Sequence, residues 1–158
     1  MKTKALTELI RSAWCECPPP DQDNIIEHQC LECHRVRDDF RNKRPEDIPS
    51  EVLEYHSDSL PFFSANAKRY YYPAYLLHAI SDVERRGDSN VTMFLLFDLG
   101  SDHRHDPDGG FTQNQIEAVL SFLNFVTEHD DLDDWSDEVE LATSKWRALL
   151  QQSPAGNT

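Results

Sequence analysis

The chain has 158 residues, 39% of them hydrophobic, which suits one domain with an enclosed core. Asp and Glu number 29 against 15 Lys and Arg, a formal net charge of −14. That field disfavours direct binding to nucleic acid or to an anionic membrane, and it attracts cations and basic proteins.

Residues 3–14 read as a short amphipathic helix with Leu6, Leu9, Ile10 and Ala13 on one face. Lys2 and Lys4 precede this stretch, but Glu8 and Arg11 interrupt any apolar core of an export signal. No run reaches the roughly 18 apolar residues that span a bilayer. The chain therefore reads as cytoplasmic, with its four cysteines as thiols or metal ligands rather than disulfides. Cys15-Glu16-Cys17 and the stiff triplet Pro18-Pro19-Pro20 end the first helix. A second helix is expected over residues 24–41, capped by Asp21 or Asp23. Ile26, Cys30, Cys33, Val36 or Arg37, and Phe40 form its apolar face. Pro45 and Pro49 bracket a loop, and Ser50 caps a short turn running to Tyr55.

The densest aromatic segment is residues 62–80, FFSANAKRYYYPAYLLHAI. Ser64 is placed to accept a first-turn N–H as an N-cap. Tyr70, Tyr71 and Tyr72 run into Pro73, which lacks an N–H and kinks a helix. The spacing predicts a kinked, largely buried helix continuing to about Arg86, with at least one of the three tyrosines left to line a cleft or a partner surface. Residues 87–90 (GDSN) are a turn by composition. Residues 91–99 (VTMFLLFDL) suit a buried strand or a buried helix. Without a second strand of comparable quality, helix is the assignment. A polar loop fills residues 100–110. Thr112 and Gln115 then match a capping box, and Ile116, Val119, Leu120, Leu123 and Val126, widened by Phe122 and Phe125, form a helical face. A last helix follows Asp133 or Ser136 and carries Trp135, Val139, Ala142, Trp146 and Leu149. The expected architecture is all-α: a single-domain orthogonal bundle of about five to six helices over residues 1–152. Residues 153–158 form a frayed tail.

Three places carry candidate chemistry. Cys15-x-Cys17 and His28-x-Cys30-x-x-Cys33-His34 concentrate four thiols and two imidazoles within twenty residues. Zinc favours such ligands, and a Cys15, Cys17, Cys30, Cys33 site would staple the first two helices. Against this stands the plain reading of Cys30 and Cys33 as small hydrophobes on the apolar face. Cys30-x-x-Cys33-His34 formally matches a c-type haem motif, but that attachment needs export, and no signal is present. The second place is the loop with His103, His105 and Asp106. An EF-hand register there puts Arg104 first and Gln115 twelfth, so calcium is rejected. A transition metal or acid–base work competes with a plain polar loop.

The third place is the acidic run over residues 128–140. Asp133, Asp134, Asp137 and Glu138 complement a helix N-terminus. With Asp130, Asp131 and Trp135 they also make an acidic surface with an aromatic anchor, suited to a basic protein partner. The cations Arg35, Arg37, Arg41, Lys43 and Arg44 read as a solvated helix face, or as the answer to acidic groups elsewhere in the chain or in a second copy. No phosphate-binding loop, nucleophile elbow or H-E-x-x-H motif occurs. Cys33 and His34, adjacent on a helix, point about 100° apart and make a poor catalytic pair. No catalytic residue is assigned.

The early C-x-x-C, Pro45-x-x-Ile48, FFSANAKRYYYPAYLLHAI and FTQNQIEAVLSFLNFV together resemble a family of small uncharacterised bacterial proteins. There, a Y-Y-x-P-A-Y-L segment precedes an L-T-x-x-Q-x-x-A-V-x-x-F-L helix. The likeness covers roughly residues 25–127 and implies no particular activity. By analogy of size, charge and helicity, it suggests an immunity-type inhibitor that neutralises a basic toxin or enzyme by occluding its active site. The acidic last helix would lie outside the shared region. A zinc-binding structural or regulatory protein is the alternative.

Overall fold

A computed structural model describes residues 2–101, 107–108, 110–129 and 133–152. Among these residues the chain is all-α, with seven helices. They are α1 (Thr3–Trp14), α2 (Leu31–Phe40), α3 (Ser50–Tyr55), α4 (Ala65–Glu84), α5 (Asn90–Gly100), α6 (Gln113–Thr127) and α7 (Ser136–Gln152). Short 3-10 turns cover Pro45–Asp47, Leu60–Phe62 and Asp133–Trp135. The count exceeds the expected five to six because the turn after Ser50 closes into α3. The ambiguous apolar run is helix α5, its first turn capped by Ser89, whose Oγ accepts the Val91 N–H at 3.2 Å.

Helix α4 is the hub, packing against α1, α3, α5 and α6, while α7 packs on α5 and α6. Its buried residues lie all round the helix, as befits one enclosed on every side. Ser64 caps it as its sequence suggests, accepting the Ala67 N–H at 3.3 Å. Tyr71, Tyr72 and Tyr75 are completely buried, each ring removing roughly 150–250 Å² from water. Each buried hydroxyl finds an acceptor. Tyr71 Oη lies 2.7 Å from the Phe40 carbonyl and 3.0 Å from that of Lys43, serving the C-terminal end of α2. Tyr75 Oη donates to the His56 carbonyl at 3.3 Å. Burial pushes the Tyr71 and Tyr75 phenols well above their ordinary pKa. Tyr70 is the half-buried member and lines a cleft with Arg11, Trp14 and Arg44.

Pro73 sits inside α4 and offers no N–H to the carbonyl one turn earlier, that of Arg69. Trp14 supplies the missing donor: its Nε1–H reaches the Arg69 carbonyl at 2.7 Å. The proline inside α4 and the seat of α1 are thus linked through one hydrogen bond. The Arg69 guanidinium in turn donates to the carbonyls of Asp108 (3.0 Å) and Gly110 (2.8 Å).

Between α4 and α5 lies a buried ionic group. Lys68 Nζ is 2.8 Å from Asp98 Oδ1, both side chains almost wholly buried, and Tyr72 Oη donates to Asp98 Oδ2 at 2.7 Å. Removing either charge would strand the other in a low-dielectric interior. At the turn joining these helices, Asp82 accepts from the Ser89 N–H at 3.3 Å and the Thr92 hydroxyl at 2.7 Å. The capping box on α6 has both bonds, with Thr112 Oγ1 accepting from Gln115 at 3.2 Å and Gln115 Oε1 from Thr112 at 3.1 Å. Trp146 Nε1 and Lys145 Nζ close the other end of α5, donating to the carbonyls of Leu99 and Gly100.

The helix expected over residues 24–41 is shorter. Ile25 and Ile26 are both fully buried, which adjacent residues on a surface helix do not achieve. They run instead as extended chain against the start of α4. Ile26 bridges Phe63, and the Ser64 N–H donates to the Ile25 carbonyl at 2.8 Å. Asp21 turns back on the Asp23 N–H at 3.0 Å rather than capping a helix. Helix α2 begins only at Leu31, with Cys30 as its cap.

A candidate thiol and imidazole centre

That late start creates the site. Cys30 has extended backbone geometry, and its sulfur accepts the Cys33 N–H at 3.3 Å, filling the role usually taken by a Ser or Asp oxygen. Cys33, one turn in, faces the core and is 3% exposed, whereas Cys30 is half-buried. The two sulfurs are 3.1 Å apart. His28, on the extended segment, turns its ring toward them, Nδ1 lying 3.6 Å from Cys33 Sγ. The ligand atoms of His28, Cys30 and Cys33 all fall within 4.8 Å of one another. The exposed rings of His28 and Phe62 stand 6.4 Å apart, and exposed Leu31 follows Cys30 directly.

The two thiols have opposite electrostatic surroundings. The Cys33 thiol, the Cys33 N–H and His28 all favour a Cys30 thiolate and lower its pKa to about 7. Burial pushes the Cys33 thiol up, and the neighbouring Cys30 sulfur adds to the effect. A helix N-terminus supports the same assignment, since its free N–H groups and dipole favour negative charge.

Cys15 and Cys17 are not brought to this centre. Cys15 is exposed, and Cys17 lies beside Arg69 and Gln115 with its thiol pushed up by burial. Both line the cleft that holds Tyr70. Of the four expected cysteine ligands, the structure brings Cys30 and Cys33 together, with His28 beside them, and Cys15 and Cys17 are not part of that group. The sequence held the signal, a histidine two residues before the first cysteine of C-x-x-C. Reading residues 24–29 as helix concealed it. His34 stays out of the cluster, its Nδ1 held by Arg37 Nη1 at 3.0 Å.

The other candidates fare differently. His103, His105 and Asp106 lie outside the described residues, as do Asp130 and Asp131. Asp133 opens the 3-10 turn that leads into α7. Asp134 and Asp137 are exposed, while Glu138 is half-buried. Trp135 is also half-buried and packs on the core. With Asp134, Glu128, Asp82, Asp88 and Arg86 it lines a cleft of about 470 Å³. Within the basic stretch, Arg41 pairs with Asp23 at 3.2 Å and Arg44 with Asp47 at 3.0 Å.

Fold and site together define an all-α bundle with a thiol–imidazole cluster at a helix N-terminus. The chain belongs to the family of unknown function DUF6714, whose model matches residues 25–150. No curated protein and no solved structure matches the chain. The matched span contains the cluster and nearly all of α7, so the acidic last helix lies within the shared region, not outside it as the shorter resemblance implied.

Proposed function

We propose that this is a small zinc-binding protein, structural or regulatory, whose metal centre is His28, Cys30 and Cys33. The convergence of two sulfurs and an imidazole nitrogen within 4.8 Å carries the reading. Tetrahedral zinc, with bonds near 2.3 Å to sulfur and 2.0 Å to nitrogen, sets ligand separations of about 3.5 Å (S to N) and 3.8 Å (S to S). The Cys33–His28 separation of 3.6 Å already fits. The sulfurs, at 3.1 Å, need to part by roughly 0.7 Å to meet that geometry. Rotation of the half-buried Cys30 side chain, which packs at the edge of the core, supplies this. A thiol that ionises easily favours the metal, because binding must displace its proton. Three protein ligands leave a fourth position for water or a partner group.

The test is native mass spectrometry of the untagged protein purified without chelator. One zinc per chain is expected, lost in Cys30→Ser, Cys33→Ser and His28→Gln, and retained in the Cys15→Ser/Cys17→Ser double variant. A metal-free parent, or zinc that survives Cys33→Ser, overturns the proposal.

A second reading is a cytoplasmic immunity-type inhibitor of a basic toxin or enzyme. It is supported by exposed Asp134 and Asp137 beside half-buried Trp135 on a chain of net charge −14. Charge reversal at Asp134 and Asp137 should then slow association with the basic partner and flatten its salt dependence. Unchanged association kinetics would remove this reading.

A further inference from the structure

We propose that the protein free of metal is a dithiol that exchanges with small-molecule disulfides, Cys30 Sγ attacking and Cys33 Sγ resolving. The inference uses the thiols of the proposed zinc centre but does not depend on metal binding.

The roles follow from position. An incoming disulfide reaches Cys30, which is half-buried at the helix edge, and not Cys33, which is 3% exposed. Cys30 precedes the helix proper and packs only at the edge of the core, whereas Cys33 is enclosed within it. The Cys33 N–H on its sulfur, at 3.3 Å, stabilises charge there before attack. The sulfurs are 3.1 Å apart and must close by about 1 Å to reach a disulfide bond length near 2.05 Å. That movement is comparable in size and opposite in sense to the one zinc requires, so the two states exclude each other.

The chemistry balances in two exchanges. The Cys30 thiolate, its proton given to solvent, attacks one sulfur of the small disulfide. A Cys30 mixed disulfide forms, and the first small thiolate leaves. Cys33 Sγ then attacks Cys30 Sγ, forming the intramolecular disulfide and expelling the second small thiolate, which takes a proton from water. The proton on Cys33 passes to His28 Nδ1, 3.6 Å away, in the tautomer that carries its own proton on Nε2. Two electrons move from the protein to the small disulfide, which is reduced to two thiols. His28 is thus a positioned proton acceptor for the buried thiol, a role distinct from metal ligation.

The experiment exposes chelator-treated, full-length Cys15→Ser/Cys17→Ser protein to glutathione disulfide and follows intact mass. Loss of two hydrogens, with Cys30 and Cys33 in one cross-linked peptide, is expected. In this background Cys33→Ser should hold one glutathione on Cys30, and Cys30→Ser should react at least about tenfold more slowly, its remaining thiol being shielded. His28→Gln should accumulate the mixed disulfide as a transient species while circular dichroism shows the fold unchanged. A glutathione adduct that persists on Cys30 when Cys33 and His28 are both present overturns the proposal. Equal reactivity of the Cys30→Ser and Cys33→Ser variants does the same. Because metal is stripped first, a failure here leaves the zinc proposal standing, and the reverse holds too.

Discussion

The link between Trp14 and Pro73 can be tested by a double-mutant cycle. Trp14→Phe keeps an aromatic ring at a site 7% exposed but removes the indole N–H that satisfies the Arg69 carbonyl at 2.7 Å. Pro73 has no N–H, so nothing in α4 takes over, and an orphaned buried carbonyl costs about 1–3 kcal/mol. The smaller ring adds about 1 kcal/mol of lost packing. The sum, near 3 kcal/mol, corresponds to a melting shift of about 6–12 °C for a chain of this length. Pro73→Ala restores an N–H one turn beyond Arg69. In that background Trp14→Phe should cost only the packing part, about 1 kcal/mol. Urea unfolding followed by far-ultraviolet circular dichroism on all four proteins should give a coupling of about 2 kcal/mol, the cost of the orphaned carbonyl. Additive losses would mean that the indole and the proline act independently, and that Trp14 does not replace the donor that Pro73 lacks.

Asp98→Asn should destabilise by about 3–5 kcal/mol, because it leaves the Lys68 ammonium buried without its counter-charge. A loss under about 1 kcal/mol in urea unfolding would show that the pair is far better solvated than its burial implies. Gly87→Ala places a methyl group 2.0 Å from Asp82 Oδ1, pushing that carboxylate off Ser89 and Thr92. A loss of about 1–3 kcal/mol is expected, and a melt identical to the parent would refute it. In metal-free protein, the alkylation rate of Cys30 should show a midpoint near pH 7. Cys33→Ala should move that midpoint upward, since the Cys33 thiol is the largest cause of the depression. The folded pKa lies below the unfolded one. The Cys30 thiolate therefore adds stability that is fully present above the unfolded thiol range and is lost as pH falls through about 7. An alkylation rate that keeps rising through the ordinary thiol range would contradict this.

Much of the all-α architecture was determined by the sequence through interactions within one or two helical turns. Ser64, Thr112 with Gln115, and Pro73 act on backbone groups three or four residues away; both caps form as their spacing predicts, and Pro73 sits inside α4. The apolar spacings of α1, α6 and α7 are local in the same sense. Tertiary structure decided where α2 begins. Ile25 and Ile26 gain more by docking as extended chain on Phe63 and Ser64 than by continuing a helix, and no window around residue 25 contains residue 63. That one choice turned Cys30 from an apolar-face residue into a helix cap, brought His28 to the sulfurs and left Cys15 and Cys17 elsewhere. Trp14 with Arg69, and Lys68 with Asp98, are likewise pairs separated by 55 and 30 residues. Local periodicity names the helices of this protein. Which side chains meet depends on contacts that only the packed core brings within reach.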